Sequence, residues 1–208
     1  MTDHAISHAA NYKPGFYDDN KPYRDCLVAA LKHFGLTKFS KEAEFWTLGG
    51  KEWHEYRYLL KQGLIFGEGS YHNVDREEID PLDDPAVVAH KCEFQDIWEL
   101  WHKPAAICFD STNALVKSNE PKWIELVSMG LKAAGICGKT SLNWNFLTTY
   151  GNAKFTSDEY EVYKQWLTIL VDYVEVWGLK IEIFSTGVQA PKEGSNTIMM
   201  SGHCLISN

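Results

Sequence analysis

Leu179-Lys180-Ile181-Glu182-Ile183-Phe184-Ser185-Thr186-Gly187-Val188 and Thr197-Ile198-Met199-Met200-Ser201-Gly202-His203-Cys204-Leu205-Ile206-Ser207 read as two β-strands. Gln189-Ala190-Pro191-Lys192-Glu193-Gly194-Ser195-Asn196 joins them as a turn-rich connection. Parallel neighbours need a crossover of about a dozen residues or more, so this pair, if adjacent, is antiparallel. Everything upstream alternates strand and helix. Residues 43–48 form a strand stopped by Gly49-Gly50, followed by a helix over 51–61 whose Trp53, Tyr56, Leu59 and Leu60 share one face and which Gly63 caps. A second strand, 70–75, ends in Asp75, and the acidic stretch from Asp75 to Asp84 reads as a loop or helix start. Cys92-Glu93-Phe94-Gln95-Asp96 reads as a third strand and 105–110 as a fourth, apolar enough to be covered on both faces. A helix then runs from Pro121 to about Ala134, capped by Gly135, and 136–142 is a fifth strand. Thr156 and Glu159 form a capping box that opens the longest helix, which ends at Gly178. An earlier helix occupies 22–34.

Alternation of this kind builds a parallel sheet with helices on both faces, and the closing hairpin adds one reversed strand. The expected fold is α/β: a three-layer sandwich around a mostly parallel seven-stranded sheet whose last strand is antiparallel. The chain has 208 residues, which suits one domain over 21–208 preceded by a polar, turn-rich arm over 1–20. Twenty Lys and Arg against 28 Asp and Glu give a net charge of −8, which repels phosphate backbones at long range. Lys13, Lys21, Arg24, Lys32, Lys38 and Lys41 gather positive charge early in the chain; solvated surface is the default reading of such a run. Five cysteines, an odd number with no Cys-x-x-Cys pair, indicate a reducing compartment and no structural zinc. No apolar run approaches the ~18–20 residues of a membrane helix, and the start is neither basic nor apolar. The expectation is a soluble, cytoplasmic protein without a membrane partner.

A glycine turn after the first strand, an acid ending the second and a terminal antiparallel hairpin together resemble the Rossmann-like (class I) S-adenosylmethionine-dependent methyltransferases. The likeness covers roughly residues 36–208 and is one of layout more than of letters. It implies S-adenosylmethionine as cofactor, with Gly49 and Gly50 under its methionine part, Asp75 on the ribose hydroxyls and Asp96 on the adenine amine. The sequence departs from the family where single residues should space the glycines: it has Leu48-Gly49-Gly50-Lys51-Glu52. The chemistry agrees, because paired glycines let backbone approach a ligand and a strand-end carboxylate accepts two ribose hydroxyls. Taken singly, Gly49-Gly50 is equally a tight turn, and Asp75 and Asp96 are equally helix caps.

After the fourth strand come Asp110-Ser111-Thr112-Asn113, where amino-methylating relatives carry an Asp/Asn-Pro-Pro-aromatic motif. Asp110 and Asn113 are candidates to accept hydrogen bonds from a substrate amine or hydroxyl, with Ser111 and Thr112 orienting it. No prolines follow, and a turn ending a strand is the plainer reading. Three other patterns are set aside. Ala133-Ala134-Gly135-Ile136-Cys137-Gly138-Lys139-Thr140 differs by one residue from a phosphate-binding loop, but a helix precedes it and a strand follows, the reverse of what a phosphate cradle needs. His54-Glu55 lacks a second histidine at Tyr58 and is no metal site. Trp98, Trp101 and His102 offer an aromatic platform, though such rings more often pack in cores. The resemblance therefore implies methyl transfer from S-adenosylmethionine to an unidentified acceptor: a small metabolite, a nucleotide, a nucleic-acid base or a protein. The rival reading is a non-catalytic interaction protein on the same fold with a degraded cofactor site.

Overall fold

The structure is a computed structural model and describes residues 21–48, 53–75, 78–79, 81–92, 94–114, 120–147, 157–189 and 199–208. Seven strands form the main sheet: β2 (Glu44–Thr47), β4 (Tyr71–Asp75), β5 (Val87–Lys91), β6 (Pro104–Ala114), β7 (Lys139–Leu147), β8 (Lys180–Gln189) and β9 (Met199–Ser207). Their order is β5-β4-β2-β6-β7-β9-β8. The first four contacts across the sheet are parallel, whereas β9 is antiparallel to both β7 and β8. The last strand thus inserts between its predecessor and the rest of the sheet, and its antiparallel pairing with β8 is the one the short connection requires. Two two-residue strands, β1 (Lys38–Phe39) and β3 (Ile65–Phe66), pair beside the main sheet.

Alternate residues divide the sheet between two cores. One face carries Trp46, Ile107, Leu142 and Trp144 beneath α3 (Glu120–Cys137) and α4 (Ser157–Val176). The other carries Phe45, Tyr71, Ala106 and Cys108 beneath α1 (Lys21–His33) and α2 (His54–Lys61). This is the three-layer arrangement that the alternation implied. On α4 the core positions are Tyr163, Trp166, Leu170 and Val174, at helical spacing. On α1 they include Tyr23, Arg24, Leu27 and Leu31, while Cys26 faces out.

Two strands lie elsewhere than the sequence suggests. The third is β5, Val87–Lys91, and Phe94–Glu99 is a 3₁₀ helix rather than a strand over 92–96. The alternation of Cys92, Phe94 and Asp96 imitated a strand, but β4 finds its parallel partner in the β-branched pair Val87-Val88, in register with Tyr71 and His72. The fifth strand begins at Lys139 instead of Ile136, because α3 continues through Gly135 to Cys137. The residue that ends α3 is Gly138, with φ of 76°, a left-handed conformation glycine adopts without strain. The helix-turn-strand context that argued against a phosphate loop is therefore present. The boundary between arm and domain and the capping Thr156 lie outside the described residues.

Candidate functional site

β2 and β4 end close together, while β6 beside them runs on to Ala114. β2 ends at Thr47, in register with Asn73 on one side and Cys108 on the other. Asp75, which ends β4, and Asp110, within β6, each stand two residues further along and so flank the chain as it leaves β2. Gly49 and Gly50 lie outside the described residues. Asp75 is the final residue of β4 and is half-buried. Asp96 is exposed in the first turn of the 3₁₀ helix, beyond β5, and does not end a strand. Asp110, Ser111, Thr112 and Asn113 belong to β6 itself, not to a turn after it. The register with β7 slips between Ser111 and Ala114, a bulge that takes in Thr112 and Asn113. Bulges of this kind redirect side chains at the rims of sheets and beside active sites.

Directly beneath this edge lies a buried polar row that sequence reasoning missed. Asn73, Thr47, Asn143 and His203 are at most 3% exposed and share one register level across five strands, with Cys108 of β6 between Thr47 and Asn143. Thr47 donates its hydroxyl to Glu55 Oε1 at 2.7 Å, tying the end of β2 to α2. Tyr71 reaches the same oxygen at 3.4 Å. Glu55 thus acts as a buried clamp between sheet and helix. At the start of α2, Trp53 has φ of 56° and ψ of 25°, a left-handed conformation that costs a bulky residue about 1–3 kcal/mol. Its indole is packed 6.4 Å from Tyr56 and 6.3 Å from Tyr71, which holds it there.

On the β7–β9 side, Asn143 Nδ2 donates to the Ile107 carbonyl at 3.2 Å. That orientation makes Oδ1 the acceptor, so His203 must carry its proton on Nδ1 to make the 3.0 Å contact. Tyr23 of α1 stacks on the imidazole at 5.3 Å and 22°. Burial holds the pKa of His203 down at about 3, so the ring is neutral. A signal for this row was present: Ser141, Asn143 and Asn145 alternate with Leu142, Trp144 and Phe146. Such alternation ordinarily means one solvated face, yet all six are buried because α1 covers the polar side.

The rings weighed as a platform do not join this site. Trp101 is buried against Trp46, and Lys132, in the half of α3 that leads down to β7, lies 3.3 Å from the Trp98 ring centre. Among the described residues, most of the early basic side chains have separate partners, and Lys13 lies outside the described residues. Arg24 is buried over the Tyr58 ring, Lys21 pairs with Asp25, Lys41 with Glu68, and Lys32 donates to the Gln62 carbonyl.

This sheet order, with one reversed strand inserted next to the edge, defines the fold of the Rossmann-like (class I) S-adenosylmethionine-dependent methyltransferases. Among solved structures, the plantazolicin methyltransferase BpumL in complex with SAH superposes with a TM-score of 0.51 at 11% identity, covering 97% of this chain and 93% of that one. The TYW2 protein of P. horikoshii, in complex with MeSAdo, gives 0.51 at 9% identity, covering 89% and 62%. A hemolysin-like protein of Streptococcus thermophilus gives 0.54 at 12% identity, covering 89% and 66%. The chain spans less than two thirds of the length of the latter two. No family model matches the sequence, and no curated protein is significantly similar to it.

Proposed function

We propose that this protein transfers a methyl group from S-adenosylmethionine to an acceptor bound over the ends of β6 and β7. The observation that carries the reading is the placement of Asp75 and Asp110 on either side of the end of β2, above a buried polar floor. Open α/β sheets bind ligands at this edge. BpumL and TYW2, which share the fold, are bound to SAH and MeSAdo. In this reading Asp75 holds the ribose hydroxyls, Gly49 and Gly50 let the backbone approach, and Asp96 of the 3₁₀ helix meets the adenine. The cofactor supplies a methyl group on a sulfonium, so the protein's task is in-line positioning of the acceptor. Asp110 and Asn113 bind the acceptor's amine or hydroxyl, and Ser111 and Thr112 orient it. A net charge of −8, and the partners that Lys21, Arg24 and Lys41 have within the chain, favour a small or peptide acceptor over a nucleic acid.

Thermal melting with S-adenosylhomocysteine tests the cofactor. At a hundredfold excess over Kd, ligand stabilises the folded state by about 2.7 kcal/mol, an easily read shift. The shift should shrink in Asp75→Ala. An unchanged curve for the natural protein at saturating ligand would favour the non-catalytic reading.

The acceptor residues are tested separately. Asp110→Ala and Asn113→Ala should leave calorimetric affinity for S-adenosylhomocysteine nearly intact while lowering methyl transfer from labelled cofactor into a metabolite or peptide pool. If these residues only shape the bulged strand, the variants should instead lose about 0.5–3 kcal/mol of stability and keep full transfer per folded molecule.

A further inference from the structure

The outer strand β8 opens with a segment that is complementary to itself. Leu179-Lys180-Ile181-Glu182-Ile183 alternates apolar and charged residues symmetrically about Ile181. Among the described residues β8 is the edge of the sheet, so one side of its backbone has no strand beside it. Leu179 and Ile181 lie against the core under α4, and Ile183, in register with Cys204, shares that face. Lys180 and Glu182 alternate to the face of α1, where Glu182 Oε1 meets His33 Nε2 at 2.7 Å.

We propose that this edge joins two copies of the chain in a two-fold dimer, with β8 pairing antiparallel to β8 of the partner about Ile181. In that register Lys180 stands opposite the partner's Glu182, and Glu182 opposite the partner's Lys180, giving two symmetric ion pairs on one face. The second carboxylate oxygen of Glu182 serves the partner's Lys180 while Oε1 keeps His33. On the other face Ile181 meets the partner's Ile181, and Leu179 meets the partner's Ile183. No other centring within the strand brings its two opposite charges together.

Two further observations support this occupant. The C-terminal turn of α4 leads straight into the segment, because Leu179 N–H closes on the Val174 carbonyl at 3.0 Å. It leaves Val176 83%, Trp177 70% and Ile183 44% exposed, apolar surface that a lone chain would be expected to hide. A five-residue ladder is too small an interface by itself, and these side chains supply the apolar area it needs. The register slip between Ile183 and Ser185 then ends the flat segment, with Phe184 turned onto His33 at 5.2 Å and Phe34 at 6.1 Å. A bulge there limits pairing to the palindromic part and so selects its register. An exposed edge strand is a natural template for such pairing, and a two-fold contact uses the same patch on both copies.

Sedimentation of the full chain across concentrations up to about 100 μM reads the result directly. A dimer mass is expected. Lys180→Glu and Glu182→Lys, each placing like charges opposite one another twice, should weaken the dimer by about tenfold or more. The double reversal should restore it, and Trp177→Ser should weaken it while leaving melting unchanged at concentrations low enough for both proteins to be monomeric. A monomer at every concentration would overturn the proposal. So would a dimer that ignores both single reversals, or a double reversal no better than the singles while circular dichroism shows native folding.

Discussion

Gly202→Ala should destabilise the protein by about 3 kcal/mol or more, at the upper end of what overpacking a core costs. A Cβ on Gly202 would overlap three atoms of the Trp144 indole, which lies flat against that backbone across the β7–β9 pair. Nor can the indole easily yield. Trp144 is fully buried, packs edge-on against Trp166 at 4.6 Å, and donates its Nε1–H to Tyr163 Oη at 3.3 Å. Tyr163 is in turn tied to the Ser201 carbonyl at 2.8 Å, next to the glycine itself. Urea unfolding measures the loss, and the same substitution in a Trp144→Phe background should cost much less, since the smaller ring leaves room. Equal midpoints for Gly202→Ala and the natural protein would refute the account.

Stability should also fall on mild acidification, before most carboxylates begin to titrate. Burial keeps His203 neutral down to about pH 3, whereas an unfolded histidine takes up its proton near pH 6.5. The unfolded chain therefore binds the extra proton first. The stabilising contribution is complete above pH 6.5 and declines as pH falls, until the native ring itself protonates. By pH 5 this one site removes about 2 kcal/mol. His72 and His90 add to the loss with the same sign, because burial lowers both pKa values. Their rings are joined Nδ1 to Nε2 at 2.9 Å and stack on Trp46 at 4.0 and 5.0 Å. The Glu44 carboxylate, 3.8 Å from His72 Nε2, opposes that shift without overcoming it. Urea midpoints should drop steadily between pH 7 and 5, and His203→Gln should flatten the slope by about one proton. A flat profile over this range would show that these rings are not held neutral by the fold.

The carboxylate of Glu44 shows how the same chemistry looks different from sequence and from structure. In sequence it begins a strand and would be taken as solvated. In the fold it is 5% exposed and accepts hydrogen bonds from Trp46 Nε1 at 2.9 Å and from the backbone N–H groups of Lys103 and His102 at 3.1 and 3.3 Å. The two backbone donors come from residues 58 and 59 positions away, a separation no local pattern spans.

The sequence by itself determined the architecture. Helical and strand periodicities are local, and a connection too short for a parallel crossover forces the closing strand to reverse, so the layers and the orientation of β9 could be read from spacing alone. It also located Asp75 at a strand end, where the acidic stretch to Asp84 begins. What it could not decide was which apolar runs pair and which polar residues become buried. Val87–Lys91 became the third strand because β4 offered it a partner in register, while the better-looking alternation after it closed into a 3₁₀ helix. The polar row of Asn73, Thr47, Asn143 and His203 is buried because α1 and α2 cover it, and its contacts reach far along the chain, Asn143 to His203 over 60 positions. Burial is a property of what lies opposite a residue in space. Only the assembled sheet and its helices supply that, and with it the depressed histidines, the glycine under Trp144 and the edge left open along β8.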